Sequence, residues 1–166
     1  VQALESLRDA YQRLNSVIDK TQSELDKLDK KTQNAYGYNK TDLMKQKIQF
    51  LEKERDLTNQ LANTYRSEAQ SQRNSLSSKG VQFDSDGLIS NYNEILEAMR
   101  NSANAMSSYD DNSKKAKENA IESVKDLKSL MDEYSNTTIK GLQSADSSWE
   151  ELSNTIKDQY KVIVQL

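Results

Sequence analysis

The chain has 166 residues, of which 30% are charged and only 34% hydrophobic, with a formal net charge of −3. It contains no proline, cysteine or histidine and only four glycines, which excludes disulfides, thiolate or imidazole nucleophiles, and the common zinc, haem, iron–sulfur and Ser-His-Asp sites. No apolar run approaches the ~20 residues a membrane-spanning helix needs.

The apolar fraction lies below the ~45–50% of an ordinary soluble domain, so a thick core is excluded. Small net charge and the scarcity of helix breakers argue against a charge-expanded coil and for long helices that share narrow seams. The apolar positions bear this out from the first residues. Leu4, Leu7, Tyr11, Leu14, Ile18, Thr21, Leu25, Leu28, Thr32 and Ala35 alternate in steps of three and four, a heptad pattern. It predicts a helix over about 3–35. Gly37 then supplies a stop, and Asn39 or Thr41 a cap, for a second helix over 41–79 that carries Leu43, Met44, Ile48, Leu51, Leu57, Leu61, Tyr65, Ala69 and Leu76. Two helices of similar length with a five-residue connection predict an antiparallel αα-hairpin over 3–79.

Gly80 ends that segment. Val81-Gln82-Phe83 and Leu88-Ile89 flank Asp84-Ser85-Asp86-Gly87, a pattern that predicts a small β-hairpin within 80–90 with Gly87 at the positive-φ position. The turn also resembles the middle of a calcium loop. Gln82 and Asn93, however, stand where a hard cation most needs carboxylates, so Asp84 and Asp86 read as turn residues. Asn91 with Glu94 forms a capping-box sequence for a third helix over about 91–109. A fourth over 113–137 carries Ala120, Val124, Leu127, Met131, Tyr134 and Thr138. A last one over 147–165 carries Trp149, Leu152, Ile156, Tyr160 and Ile163. The step from Thr138 to Leu142 is four where three is due, and Asn136-Thr137-Thr138 and Gly141 weaken the helix there. A kink or break is expected within 136–147, with Asp146 or Ser147 as the new cap.

The expected fold is therefore all-α, an elongated helical hairpin or coiled-coil bundle with one short β-hairpin insertion. Residues 1–79 carry a net charge of +3 and residues 80–166 a net charge of −6, which reads as solvated faces. Carboxylate pairs such as Asp110/Asp111 and Glu150/Glu151 are sequence neighbours in polar runs, which point in different directions on a helix. Basic runs are short and interleaved with acids, so no sequence-specific nucleic-acid footprint is present. No residue pattern calls for a catalytic centre, a metal or a cofactor, and nothing in the segment indicates membrane contact. The candidate functional residues are the seams themselves. They are Leu4, Leu7, Tyr11, Leu14, Ile18, Leu25 and Leu28 in the first helix, and Leu51, Leu57 and Leu61 in the second. Val124, Leu127, Met131, Trp149, Leu152 and Ile156 continue them, with Gly37, Gly80, Asp84, Asp86 and Gly87 at the turns. Trp149 is expected to pack on the apolar face of its helix.

The stretch Phe83-Asp84-Ser85-Asp86-Gly87-Leu88-Ile89-Ser90-Asn91-Tyr92-Asn93-Glu94-Ile95-Leu96 resembles a recurrent segment of bacteriophage and prophage tail tape measure proteins. In these a Phe-Asp-x-x-Gly-x-Ile-x-Asn-Tyr element interrupts long Lys/Glu/Gln-rich coiled coils. The layout of the following helices is similar too. The resemblance implies a non-enzymatic segment of a longer virion protein that sets tail length and fills the tail tube. Its implied partners are further copies of itself, as a homo-oligomer such as a trimer, and tail tube or tail tip proteins. A start at Val1 without Met fits such a segment. The other readings open at this point are a coiled-coil adaptor or helical secreted effector, and the helical stalk of a larger enzyme.

Overall fold

The computed structural model describes residues 26–33 and 38–165, together with single positions 16, 20, 23 and 24. Residues 26–33 form helix α1. They are followed by α2 (Tyr38–Ser77), α3 (Tyr92–Asn104), α4 (Asp111–Glu133), a π-helical turn (Tyr134–Ile139) and α5 (Lys140–Gln165). Two compact units are present: Val1–Arg66 with Leu142–Leu166, and Ser67–Gly141.

α2 shows why so polar a sequence folds. Met44, Ile48, Leu51, Thr58, Ala62, Ala69 and Leu76 are all buried and fall on one alternating three–four frame, so a single stripe is withdrawn from water from Met44 to Leu76 of the 40-residue helix. Thr58 tolerates burial because its hydroxyl donates to the Glu54 carbonyl at 2.8 Å, which satisfies it within the helix. In the first unit, Ile48, Leu51 and Ile156 form one apolar cluster and Leu61, Ala62 and Ala145 another. Lys47 pairs with Asp29 of α1 at 2.5 Å, and Arg66 with Asp146 of α5 at 2.5 Å. The second unit holds the larger cluster, in which Ala69, Leu76, Val81, Leu96, Val124, Leu127, Met131, Tyr134 and Ile139 are buried together.

Helix ends are set by local chemistry. Past the end of α2, the Val81 N–H donates to the Leu76 carbonyl and the Gly80 N–H to that of Ser77, both at 3.1 Å, with Gly80 at φ +96. This is a Schellman motif, and its apolar contact is Val81 with Leu76 in the shared cluster. The Asp110 side chain caps α4 by accepting from the Ser113 N–H at 2.7 Å.

Three sequence expectations are corrected. First, the β-hairpin of 80–90 does not form. The described residues contain no strand, only the isolated antiparallel bridge between Phe83 and Ile89. Side chains take the backbone groups that a ladder would use. The Asp84 carboxylate accepts from the N–H of Asp86 at 2.9 Å and of Leu88 at 3.0 Å. Asn91 accepts from the Gln82 N–H at 2.8 Å and donates to the Gly80 carbonyl at 3.0 Å. Second, the Asn91 side chain is therefore committed backwards and makes no cap hydrogen bond to α3, so the capping box is not used. α3 also stops at Asn104 rather than 109. Third, the chain is not broken within 136–147. The π-helical turn occupies Tyr134–Ile139 and α5 starts directly at Lys140, not at 147. Asp146 lies inside α5, and its carboxylate is taken by Arg66 rather than by a helix end. An i→i+5 turn holds one residue more than an α turn, so it re-phases the apolar stripe without interrupting the helix.

Candidate interaction surface

Within the second unit the 78–91 loop is held by Val81, which is buried in the larger cluster, and by Tyr134. Tyr134 is wholly buried and lies in the π-helical turn. Its hydroxyl donates to the Gly87 carbonyl and accepts from Arg73 Nη1 at 3.1 Å. Its ring meets Phe83 edge-on, with centroids 5.3 Å apart. Gly87 stands at φ +78, and a Cβ there would lie 3.5 Å from Arg73 Nη1 and 3.6 Å from the Tyr134 hydroxyl. Conformation more than space thus requires glycine at this position. Asp84 and Asp86, singled out as turn residues, both stay exposed. The Asp84 carboxylate is occupied by backbone N–H groups as described, an arrangement that closes a turn. Among the described residues, no group of three or more acidic side chains gathers in a way that could hold a metal ion.

Leu28, Leu51, Leu61, Val124, Leu127, Met131 and Ile156 of the expected seams are buried, whereas Leu57 and Leu152 are half-buried. Leu4, Leu7, Tyr11, Leu14, Ile18, Leu25 and Gly37 lie outside the described residues. Trp149 departs from its expected packing and is 42% exposed. On α5 the most buried positions are Ala145 and Ile156, and Trp149 falls at the edge of the face they define. Glu150 and Glu151 beside it are exposed.

Between α3 and α4 the second unit leaves a groove of about 310 Å³. Its floor is Ala103 and Val124, both buried, with Ile121 at its lip. Arg100, Lys125 and Lys128 supply cations around it. The period of α4 sets this up, because Ile121, Lys125 and Lys128 are spaced four and three apart and so share one face. Lys128 is already engaged. It donates to Asp132 Oδ2 at 2.8 Å, while the Tyr92 hydroxyl donates to Asp132 Oδ1, also at 2.8 Å. These two donors hold the Asp132 carboxyl below its ordinary value. The same hydrogen bond raises Tyr92 above its own, and the carboxylate likewise raises Lys128. Arg100 and Lys125 have no ion-pair partner among the described residues. No sequence signal singled out this groove, since its residues come from two helices whose pairing is not local.

The Glu68 carboxyl is pushed up, chiefly by burial and then by the charge of Glu133. Its proton is held more tightly in the folded state than in the unfolded chain. Its contribution to stability is therefore greatest below the ordinary carboxylate range and declines as pH rises through the raised value. Glu68→Gln is expected to raise the urea midpoint at neutral pH and to leave it unchanged at a pH below the carboxylate range. Equal midpoints for the two chains at both pH values would contradict this coupling.

No family model, no curated protein and no solved structure matches the chain. Among the described residues no helix is long and apolar enough to cross a membrane.

Proposed function

We propose that this chain is a structural, non-enzymatic helical segment that assembles with copies of itself, of the kind found in phage tail tape measure proteins, where it would contribute to tail length and tube filling in the virion. The observation that carries this reading is the stripe along α2. It is one narrow heptad frame whose buried positions run from Met44 to Leu76 of the 40-residue helix, itself about 60 Å long at 1.5 Å per residue. It includes polar positions such as Thr58, which specify register at a cost in stability. The resemblance of 83–96 to the tape measure segment adds the particular family. A second reading, an adaptor module, is favoured by the cation-rimmed groove between α3 and α4.

The coding sequence on either side of this segment and an antiserum against it test the proposal together. Flanks that continue as coiled coil, with the antiserum labelling purified tails by immunogold microscopy, are the expected result. A catalytic domain or an adhesin in the flanks, or tails without label, sinks the tape measure reading.

A further inference from the structure

We propose that Trp149 of one copy seats its indole in the α3–α4 groove of a second copy, with Glu150 facing Arg100 and Lys125. This deepens the proposed self-assembling role and rests on it. Two surfaces on the same chain are complementary in shape and charge. The groove has an apolar floor in Ala103 and Val124, and about 310 Å³ of space, room for an indole. Two of its rim cations, Arg100 and Lys125, have no ion-pair partner among the described residues. Trp149 is a large apolar side chain left 42% exposed, and the neighbouring carboxylates of Glu150 and Glu151 likewise have no ion-pair partner. An exposed aromatic beside free acid, matched by an apolar hollow beside free base, is the composition of an anchor and its pocket.

Among the described residues, the other exposed aromatics fit less well. Tyr160 already gives its hydroxyl to Glu52 at 2.7 Å. Tyr109 is followed by Asp110, whose carboxylate is spent on the α4 cap. Because the two surfaces differ, the contact is heterologous, and repeated from copy to copy it closes into a ring or grows open-ended.

The single tryptophan of the chain makes the contact directly observable. Sedimentation velocity and tryptophan emission are followed together from low micromolar to near-millimolar concentration. The wild-type chain is expected to grow beyond a dimer, with a blue shift that tracks the gain in mass. Trp149→Gln and the double variant Arg100→Glu/Lys125→Glu are each expected to lose this growth while keeping the wild-type far-ultraviolet circular dichroism. Mixed, they retain one good groove and one good anchor and are expected to form a one-to-one pair that grows no further. Adding Glu150→Lys to the double variant restores growth.

A wild-type chain that stays monomeric with unshifted emission overturns both this contact and the self-assembling role. Growth that persists in the Trp149 or groove variants overturns this contact alone and leaves self-assembly standing. A mixture of the two variants that does not pair also overturns the contact.

Discussion

Replacing Tyr134 by alanine is expected to cost about 3–5 kcal/mol of unfolding free energy, the range for deleting a large buried aromatic side chain. The effect has two sources that a second variant separates. The ring fills the centre of the larger apolar cluster and meets Phe83 edge-on. The hydroxyl satisfies the Gly87 carbonyl and accepts from Arg73. Tyr134→Phe keeps the ring and leaves those two groups without their partner, so it is expected to cost only about 1–2 kcal/mol. Hydrogen exchange locates the damage. In Tyr134→Phe the amides of Asp84, Gly87 and Leu88, all bonded inside the loop, should exchange faster while those of α2 stay protected. Urea unfolding that shows equal losses for the two variants would mean that the hydroxyl, and not the packing, carries the contribution.

Inserting an alanine after Asn136 is expected to be as damaging as emptying a core position, although Asn136 itself is exposed. It lies in the π-helical turn, where one residue more than an α turn is accommodated. A second extra residue exceeds that allowance and turns the helix beyond it by about 100° relative to the stretch before it. Upstream, Val124, Leu127 and Met131 belong to the larger cluster. Downstream, Ile139 belongs to the same cluster and Thr138 is buried. The insertion cannot keep both sides inward, and its expected cost, on the order of 5 kcal/mol, is comparable to the whole stability of a small unit. Asn136→Ala changes the side chain without changing the count and is expected to stay within about 0.5 kcal/mol of wild type. Thermal unfolding followed by circular dichroism compares the two. An insertion variant that melts with the wild-type midpoint and cooperativity would show that the turn absorbs a further residue and sets no phase.

The helical regions were legible because their signals are short-range. A stripe spaced by three and four needs only the geometry of one helix, and it located Met44, Ile48, Leu51, Leu61, Ala69 and Leu76 of α2 and Val124, Leu127 and Met131 of α4, while missing the buried Glu54, Thr58 and Ala62. Gly80 as a helix stop and Gly87 as a positive-φ turn residue were legible for the same reason, since glycine is the residue that adopts those conformations without strain. Errors arose where a local pattern had a competitor further along the chain. Asn91 has the sequence of a helix cap, yet its amide reaches back to Gly80 and Gln82. Apolar alternation at 81–89 suggested strands, yet Asp84 and Asn91 satisfy the backbone first. Asp146 looked like a cap and became an ion-pair partner of Arg66, 80 residues away.

The sequence by itself determined the class of the protein. A chain poor in apolar residues, without proline and with only four glycines, can bury narrow stripes on long helices and little else, because periodicity and propensity act within a turn or two. The tertiary structure alone decided the rest. It turned a phase irregularity near Thr138 into a π-helical turn whose Tyr134 and Ile139 both join the larger cluster. It drew Tyr134 onto the Gly87 carbonyl. It paired α3 with α4 so that Arg100 and Lys125 border one groove, and it left Trp149 at the edge of a buried face. Each of these depends on groups far apart in the chain, whose meeting is fixed by packing and by the need to satisfy buried polar atoms, neither of which a local pattern encodes.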